Sequence, residues 1–212
     1  MKAVFFDSDG VLVDTERMFY EATRDAFAAA DIDLSPAVWS RLYLSEGNKS
    51  PKIAALLGMP ADRINETIRL RDDCFQDRLE EGPAALPGVL EALTLLKPRL
   101  RLFLVTGAAR RHVDLAHRVS GCLPFFEDVV TQDDFARPKP YPDAYLKALE
   151  RAEISPPEAV AVEDSPRGAK SAVAAGLRCL VVATPLTAIG LCPPEAEIVP
   201  TLADAVALIL NA

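Results

Sequence analysis

The chain has 212 residues, half of them apolar and a quarter charged, with a formal net charge of −8 and a pI near 4.9. Such a length and apolar content support one domain, or one domain carrying an insert, whereas the acidic balance and the lack of any dense Lys/Arg run argue against a nucleic-acid partner. No apolar stretch approaches the roughly 18 residues of a membrane span, and Met1-Lys2 leads straight into a strand-like run, so a cytoplasmic protein with no membrane partner is expected.

Taken in chain order, residues 3–6 (AVFF) read as a buried strand that runs directly into Asp7 and Asp9. Residues 15–84 then lack a convincing strand; helical patterns at 17–30, 52–57 and 61–79 are separated by Leu34-Ser35-Pro36, Glu46-Gly47-Asn48 and Gly58-Met59-Pro60. From there strands and helices alternate: helix 88–96, strand 100–105, helix 110–119, strand 128–131, helix 142–152, strand 159–162, helix 166–175, strand 178–182, a weak strand 197–199, and helix 202–210 behind a Thr201 cap. The apolar runs are continuous rather than alternating, as in strands covered on both faces. The fold class expected is therefore α/β, a doubly wound parallel sheet of residues 1–14 and 85–212, with 15–84 inserted after the first strand as a helical cap.

Cys74, Cys122, Cys179 and Cys192 are scattered, without a CxxC pair, and are expected to be reduced thiols. His112 and His117 lie five apart, off a common helix face, and are expected at the surface or at a helix end.

In a sheet of this kind ligands sit beyond the carboxyl ends of the strands. The residues found there are Asp7 and Asp9, Thr106-Gly107, Lys139, and Glu163-Asp164. Two carboxylates two residues apart at a strand end face one side and repel, which a hard cation with oxygen ligands relieves. Asp164 from another strand end would complete a water-rich shell suited to Mg2+. Lys139 adds a fixed positive charge, and Thr106 a hydroxyl beside the N–H groups of a helix start; both suit phosphate. A carboxylate in that setting can attack phosphorus and form an aspartyl phosphate, with Asp7 as nucleophile and Asp9 as the acid and base. The expected partner is a small phosphorylated metabolite, and a monomer is the default for so compact a chain.

FFDSDGVLVDTE, VTG, RPKPYPDAY and AVEDSPRGAKSAVAAG together resemble the four motifs of the haloacid dehalogenase superfamily of Mg2+-dependent phosphohydrolases, in order and across nearly the whole chain. The resemblance implies a Rossmann-like core, Asp7 as nucleophile, and Asp9 as an acid/base whose backbone carbonyl also meets the metal. It further implies phosphate binding by Thr106, Gly107 and Lys139, and a metal held by Asp7, Asp9, Asp164 and neighbouring Glu163. Gly10 fits the turn after the pair. The insertion point resembles that of members with a small helical cap, the group of phosphoglycolate phosphatase-like and beta-phosphoglucomutase-like enzymes.

The mutases typically carry a His in the hinge helix and a Lys before the cap-loop Gly, where this chain has Phe19 and Glu46. Hydrolysis is therefore the expected reaction, with beta-phosphoglucomutase-like transfer on a sugar phosphate as the alternative and a non-catalytic metabolite-binding module behind both. Lys49 and Lys52 are candidates for contact with an anionic substrate, and Arg110 and Arg111 are expected on a solvent-facing helix.

Overall fold

A computed structural model describes all residues, 1–212. Its elements in chain order are β1 (Ala3–Phe6), α1 (Thr15–Ala28), α2 (Pro36–Trp39) running into a π-helical turn (Ser40–Ser45), α3 (Ser50–Leu56), α4 (Ala61–Glu81), α5 (Val89–Leu96), β2 (Arg101–Val105), α6 (Arg110–Ala116) and β3 (Asp128–Val130). After these come α7 (Asp143–Ala152), β4 (Ala159–Glu163), α8 (Pro166–Ala174), β5 (Arg178–Val182), β6 (Glu197–Val199) and α9 (Leu202–Leu210). The six strands form one sheet in the order β3-β2-β1-β4-β5-β6, with every pairing parallel.

The central strands β1, β2, β4 and β5 are continuous apolar runs because both faces of the sheet are covered there, and the pleat sends alternate residues to opposite cores. Val4, Phe6, Leu102, Leu104, Val160 and Val162 join α5 and α9 in one cluster. Ala3, Phe5, Phe103, Val105, Ala159 and Ala161 join α7 and α8 in the other. Phe5 pairs in register with Phe103 on one side and Ala161 on the other. Chain order reverses between β1 and β4, so the crevice expected for a ligand opens where Asp7 and Asp164 emerge.

Helices α1 to α4, between β1 and α5, form a helical insertion with its own apolar cluster, built on Tyr20, Phe27, Leu34, Trp39 and Ile53. Its two connections lie side by side: Val13 bridges to Ala85, and the Leu86 N–H donates to the Leu12 carbonyl at 2.8 Å. The expected interval between residues 30 and 52 omitted α2 and the turn after it. Ser35 caps α2 by accepting from the Val38 N–H at 3.3 Å, with Pro36 in the first turn. Trp39 and Tyr43 stack with ring centroids 4.2 Å apart and planes 14° apart. The loop after β5 also reaches the insertion: Leu186 is buried in its cluster, and Ser40 Oγ donates to the Leu186 carbonyl.

Thr201 caps α9 in a reciprocal box with Asp204, and Ser165 caps α8 through the Gly168 N–H at 3.1 Å. No cysteine is paired: Cys122 and Cys179 are buried, Cys74 and Cys192 half-buried. No helix is long and apolar enough to cross a membrane.

Candidate active site

Asp7 leaves the end of β1, where its N–H still donates to the Val162 carbonyl at 2.9 Å and so locks the carboxylate to β4. Lys139, on the segment between β3 and α7, reaches the same point. Its ammonium donates to Asp7 Oδ1 at 2.7 Å, to Glu163 Oε1 at 2.6 Å and to the Val105 carbonyl at 3.1 Å. All three ammonium protons are thereby used. Burial alone would lower the Lys139 pKa, but Asp7 and Glu163 outweigh it and hold the ammonium charged above its ordinary value.

Glu163 is completely buried at the end of β4. Besides Lys139 it accepts from the Tyr145 hydroxyl at 2.6 Å and, at 3.5 Å, from Ser165 Oγ. Its Oε1 is thus engaged in fixing the lysine. Asp164, also buried, has no side-chain hydrogen-bond partner of its own, and Asp7, Glu163 and Asp164 each offer an oxygen within 4.8 Å of the others. Burial raises the Asp164 carboxyl far above its ordinary range, reinforced by Asp7 and Glu163. Burial likewise raises Asp7, an effect that Lys139 opposes and that Glu163 and Asp9 reinforce. One ammonium against three buried carboxylates leaves a deficit of positive charge, and the free oxygens of Asp7 and Asp164 suit a hard divalent cation.

Asp9 stands apart from that cluster. Its carboxylate accepts from Thr15 Oγ1 and from Thr106 Oγ1 at 3.3 Å, while the Ala108 N–H donates back to Thr106 Oγ1 at 3.0 Å. The hydroxyl expected to bind phosphate therefore also orients Asp9. Gly107 follows it, exposed and with open space around its α-carbon. Two other glycines have no such freedom. Gly10 sits at φ +77°, and a β-carbon there would lie 2.2 Å from Asp164 Oδ2; at Gly168 one would lie 1.9 Å from Glu163 Oε2.

His117 stands at the end of α6, one of the two places expected for it, but it is buried rather than at the surface, its Nε2 2.9 Å from Ser8 Oγ and its Nδ1 2.9 Å from Ser120 Oγ. Ser8 stands between the two aspartates, so this pair ties their loop to the end of α6. Burial lowers the His117 pKa, with Asp9 pulling the other way. Lys49, Lys52, Arg110 and Arg111 are all exposed.

The insertion faces this cluster with Glu16, whose Oε1 accepts from the Trp39 indole N–H at 3.0 Å. Burial pushes its carboxyl up to about 7, against the pull of that hydrogen bond. Phe19, where the mutases carry His, packs against Phe75 with centroids 4.9 Å apart, and exposed Glu46 accepts from Asn48 at 2.8 Å.

Comparison with known proteins places this arrangement among similar ones. Residues 1–176 match the family described as haloacid dehalogenase-like hydrolase. The chain is 35% identical over 199 residues to protein CbbY of Rhodobacter capsulatus, covering 87% of this chain and 86% of that one. It is 31% identical over 182 residues to the phosphorylated carbohydrates phosphatase of Thermotoga maritima, covering 84% and 82%. Among solved structures, a mutant of CbbY from Rhodobacter sphaeroides in complex with xylulose-(1,5)bisphosphate superposes with a TM-score of 0.75 at 25% identity, covering 96% of each chain.

Proposed function

The chain belongs to the haloacid dehalogenase-like hydrolases, and on that footing we propose that it is a Mg2+-dependent phosphatase of a small phosphorylated metabolite, working through an aspartyl phosphate on Asp7. The observation that carries this reading is the buried contact of Lys139 with Asp7 at 2.7 Å, beside Asp164, where a single ammonium faces the carboxylates of Asp7, Glu163 and Asp164. Similarity to proteins named for phosphorylated carbohydrates favours a sugar phosphate.

In this reading an Asp7 oxygen attacks phosphorus, the phosphorus–ester oxygen bond breaks, and Asp9 gives its proton to the leaving alkoxide. Asp9 then accepts a proton from the water that attacks the same phosphorus, which frees inorganic phosphate and restores Asp7. Lys139 holds the attacking carboxylate in place, and Thr106 sets the direction of the Asp9 carboxylate while its neighbour Gly107 leaves room for the phosphoryl oxygens. Asp7 and Asp164 would hold Mg2+, with the Asp9 backbone; its charge offsets that of the carboxylates and the phosphoryl group. Residues 15–84 act as the cap over a core of 1–14 and 85–212 and exclude water during the reaction. Phe19, packed among aromatic rings, weighs against the mutase alternative because it can carry no proton.

The experiment is phosphate release from a panel of phosphomonoesters with Mg2+, with EDTA, and with Asp7→Asn, including beta-glucose 1-phosphate followed for conversion to the 6-phosphate. Release that needs both Mg2+ and Asp7 is expected; isomerisation with little phosphate released would overturn the reading.

A further inference from the structure

Arg167 lies in the first turn of α8, three residues after Asp164. Every other arginine of the chain either donates to a carboxylate, hydroxyl or carbonyl oxygen or is exposed; Arg167 is half-buried and does neither. Its guanidinium lies over the Tyr43 ring, 5.6 Å from the centroid. Its Nη1 is 3.4 Å from where a Gly47 β-carbon would stand, so the missing side chain of Gly47 leaves it room. It therefore occupies the seam between the insertion and the core, on the segment that also presents Asp164.

Among the groups around it the Glu16 carboxylate feels its charge, but from beyond ion-pair distance. Glu16, which faces the same seam, gives an oxygen to Trp39 at 3.0 Å and makes no ion pair with Arg167, while Tyr43 offers its ring and a hydroxyl that has no hydrogen-bond partner. A guanidinium taken partly out of water gains from a planar anion that meets its fork with two hydrogen bonds. No such anion is supplied by the chain.

We propose that Arg167 is a specificity-determining residue that receives a second anionic group, on the substrate's end away from the scissile phosphate. The preferred substrate class is then a phosphomonoester that also carries a distal carboxylate or second phosphate. This assignment rests on the phosphatase reading above for its turnover, though not for its binding.

Matched substrates separate the two anions. 6-Phosphogluconate and glucitol 6-phosphate differ by a terminal carboxylate against a hydroxymethyl group; fructose 1,6-bisphosphate and fructose 6-phosphate differ by the second phosphate. For the wild-type protein with Mg2+, kcat/KM is expected to favour the charged member of at least one pair by about 10- to 100-fold, the range of a charge-assisted hydrogen bond. Arg167→Ala should erase that preference by raising KM for the charged member alone, and Arg167→Lys should recover part of it. A wild-type protein indifferent to the second charge, or an Arg167→Ala variant impaired equally on both members, overturns the proposal; the latter is what loss of a packing contact with Tyr43 would give. Calorimetric binding of the same pairs is the second readout. If no phosphate is released from any of them, the phosphatase reading fails, and Arg167-dependent preference in binding still supports the second-anion site while equal binding overturns it.

Discussion

Gly168→Ala sets two effects of opposite sign against each other. Gly168 is inside α8, where alanine is favoured by about 1 kcal/mol. Against this, the new β-carbon would stand 1.9, 2.1 and 2.2 Å from Oε2, Cδ and Oε1 of Glu163, a completely buried side chain. The carboxylate must move by more than 1 Å to reach ordinary contact, roughly the step that turns its 2.6 Å bonds to Lys139 and Tyr145 into non-bonded separations. Breaking a buried charged pair costs about 3–5 kcal/mol, so the clash wins and the net loss is about 2–4 kcal/mol. For a chain of this size that lowers Tm by roughly 5–15 °C, and Lys139, released from one anchor, should lose its hold on Asp7 and with it most of the phosphatase rate. Thermal unfolding by circular dichroism and phosphate release would be measured beside Gly190→Ala, where a β-carbon meets nothing within 4 Å. If Gly168→Ala melted and turned over like Gly190→Ala, the rigid Glu163–Lys139–Asp7 chain would be refuted.

Gly10→Ala combines a φ of +77° with a β-carbon 2.2 Å from Asp164 Oδ2, so Mg2+-dependent activity should fall by more than 100-fold; a near-wild-type rate at saturating Mg2+ would contradict the placement of Asp164. Lys139→Met leaves Asp7 and Glu163 buried without their counter-ion, and a loss of about 3–5 kcal/mol is expected in urea unfolding, against less than about 0.5 kcal/mol for exposed Lys52→Ala; equal midpoints would count against it. His117 has its pKa lowered from 6.5 by burial, so the unfolded chain binds its proton first. The stability that this neutral ring contributes is present above pH 6.5 and lost as pH falls from 6.5 through the lower folded value. Wild type should therefore lose more unfolding free energy than His117→Asn between about pH 7.5 and pH 5.5, and parallel curves would exclude the effect.

Much of this protein is legible from local pattern. The four central strands are covered on both faces, so each appears as a short unbroken apolar run, and the end of a parallel strand is where a ligand-facing residue must lie. Asp7, Asp9, Thr106, Lys139, Glu163 and Asp164 could be found that way, and Ser165-Pro166 marks a helix start through hydrogen-bond chemistry within four residues. Ser35-Pro36 carries the same signal, but the helix behind it is one turn long and held by Trp39 stacking on Tyr43, too short for a periodicity to register.

What tertiary structure alone decided are the contacts between residues far apart in the chain. His117 meets Ser8 across 109 positions, so a histidine that looks like surface by helical spacing is buried by the loop it supports. Glu163 can be picked out by its position beside Asp164, but not that Lys139 and Tyr145 both meet its Oε1. Arg167 looks like any helical arginine until the insertion folds over it and leaves it unpaired at the seam. Periodicity and strand ends follow from backbone geometry, which each segment carries in itself; which charge is buried, paired or left open depends on what the rest of the chain brings to it.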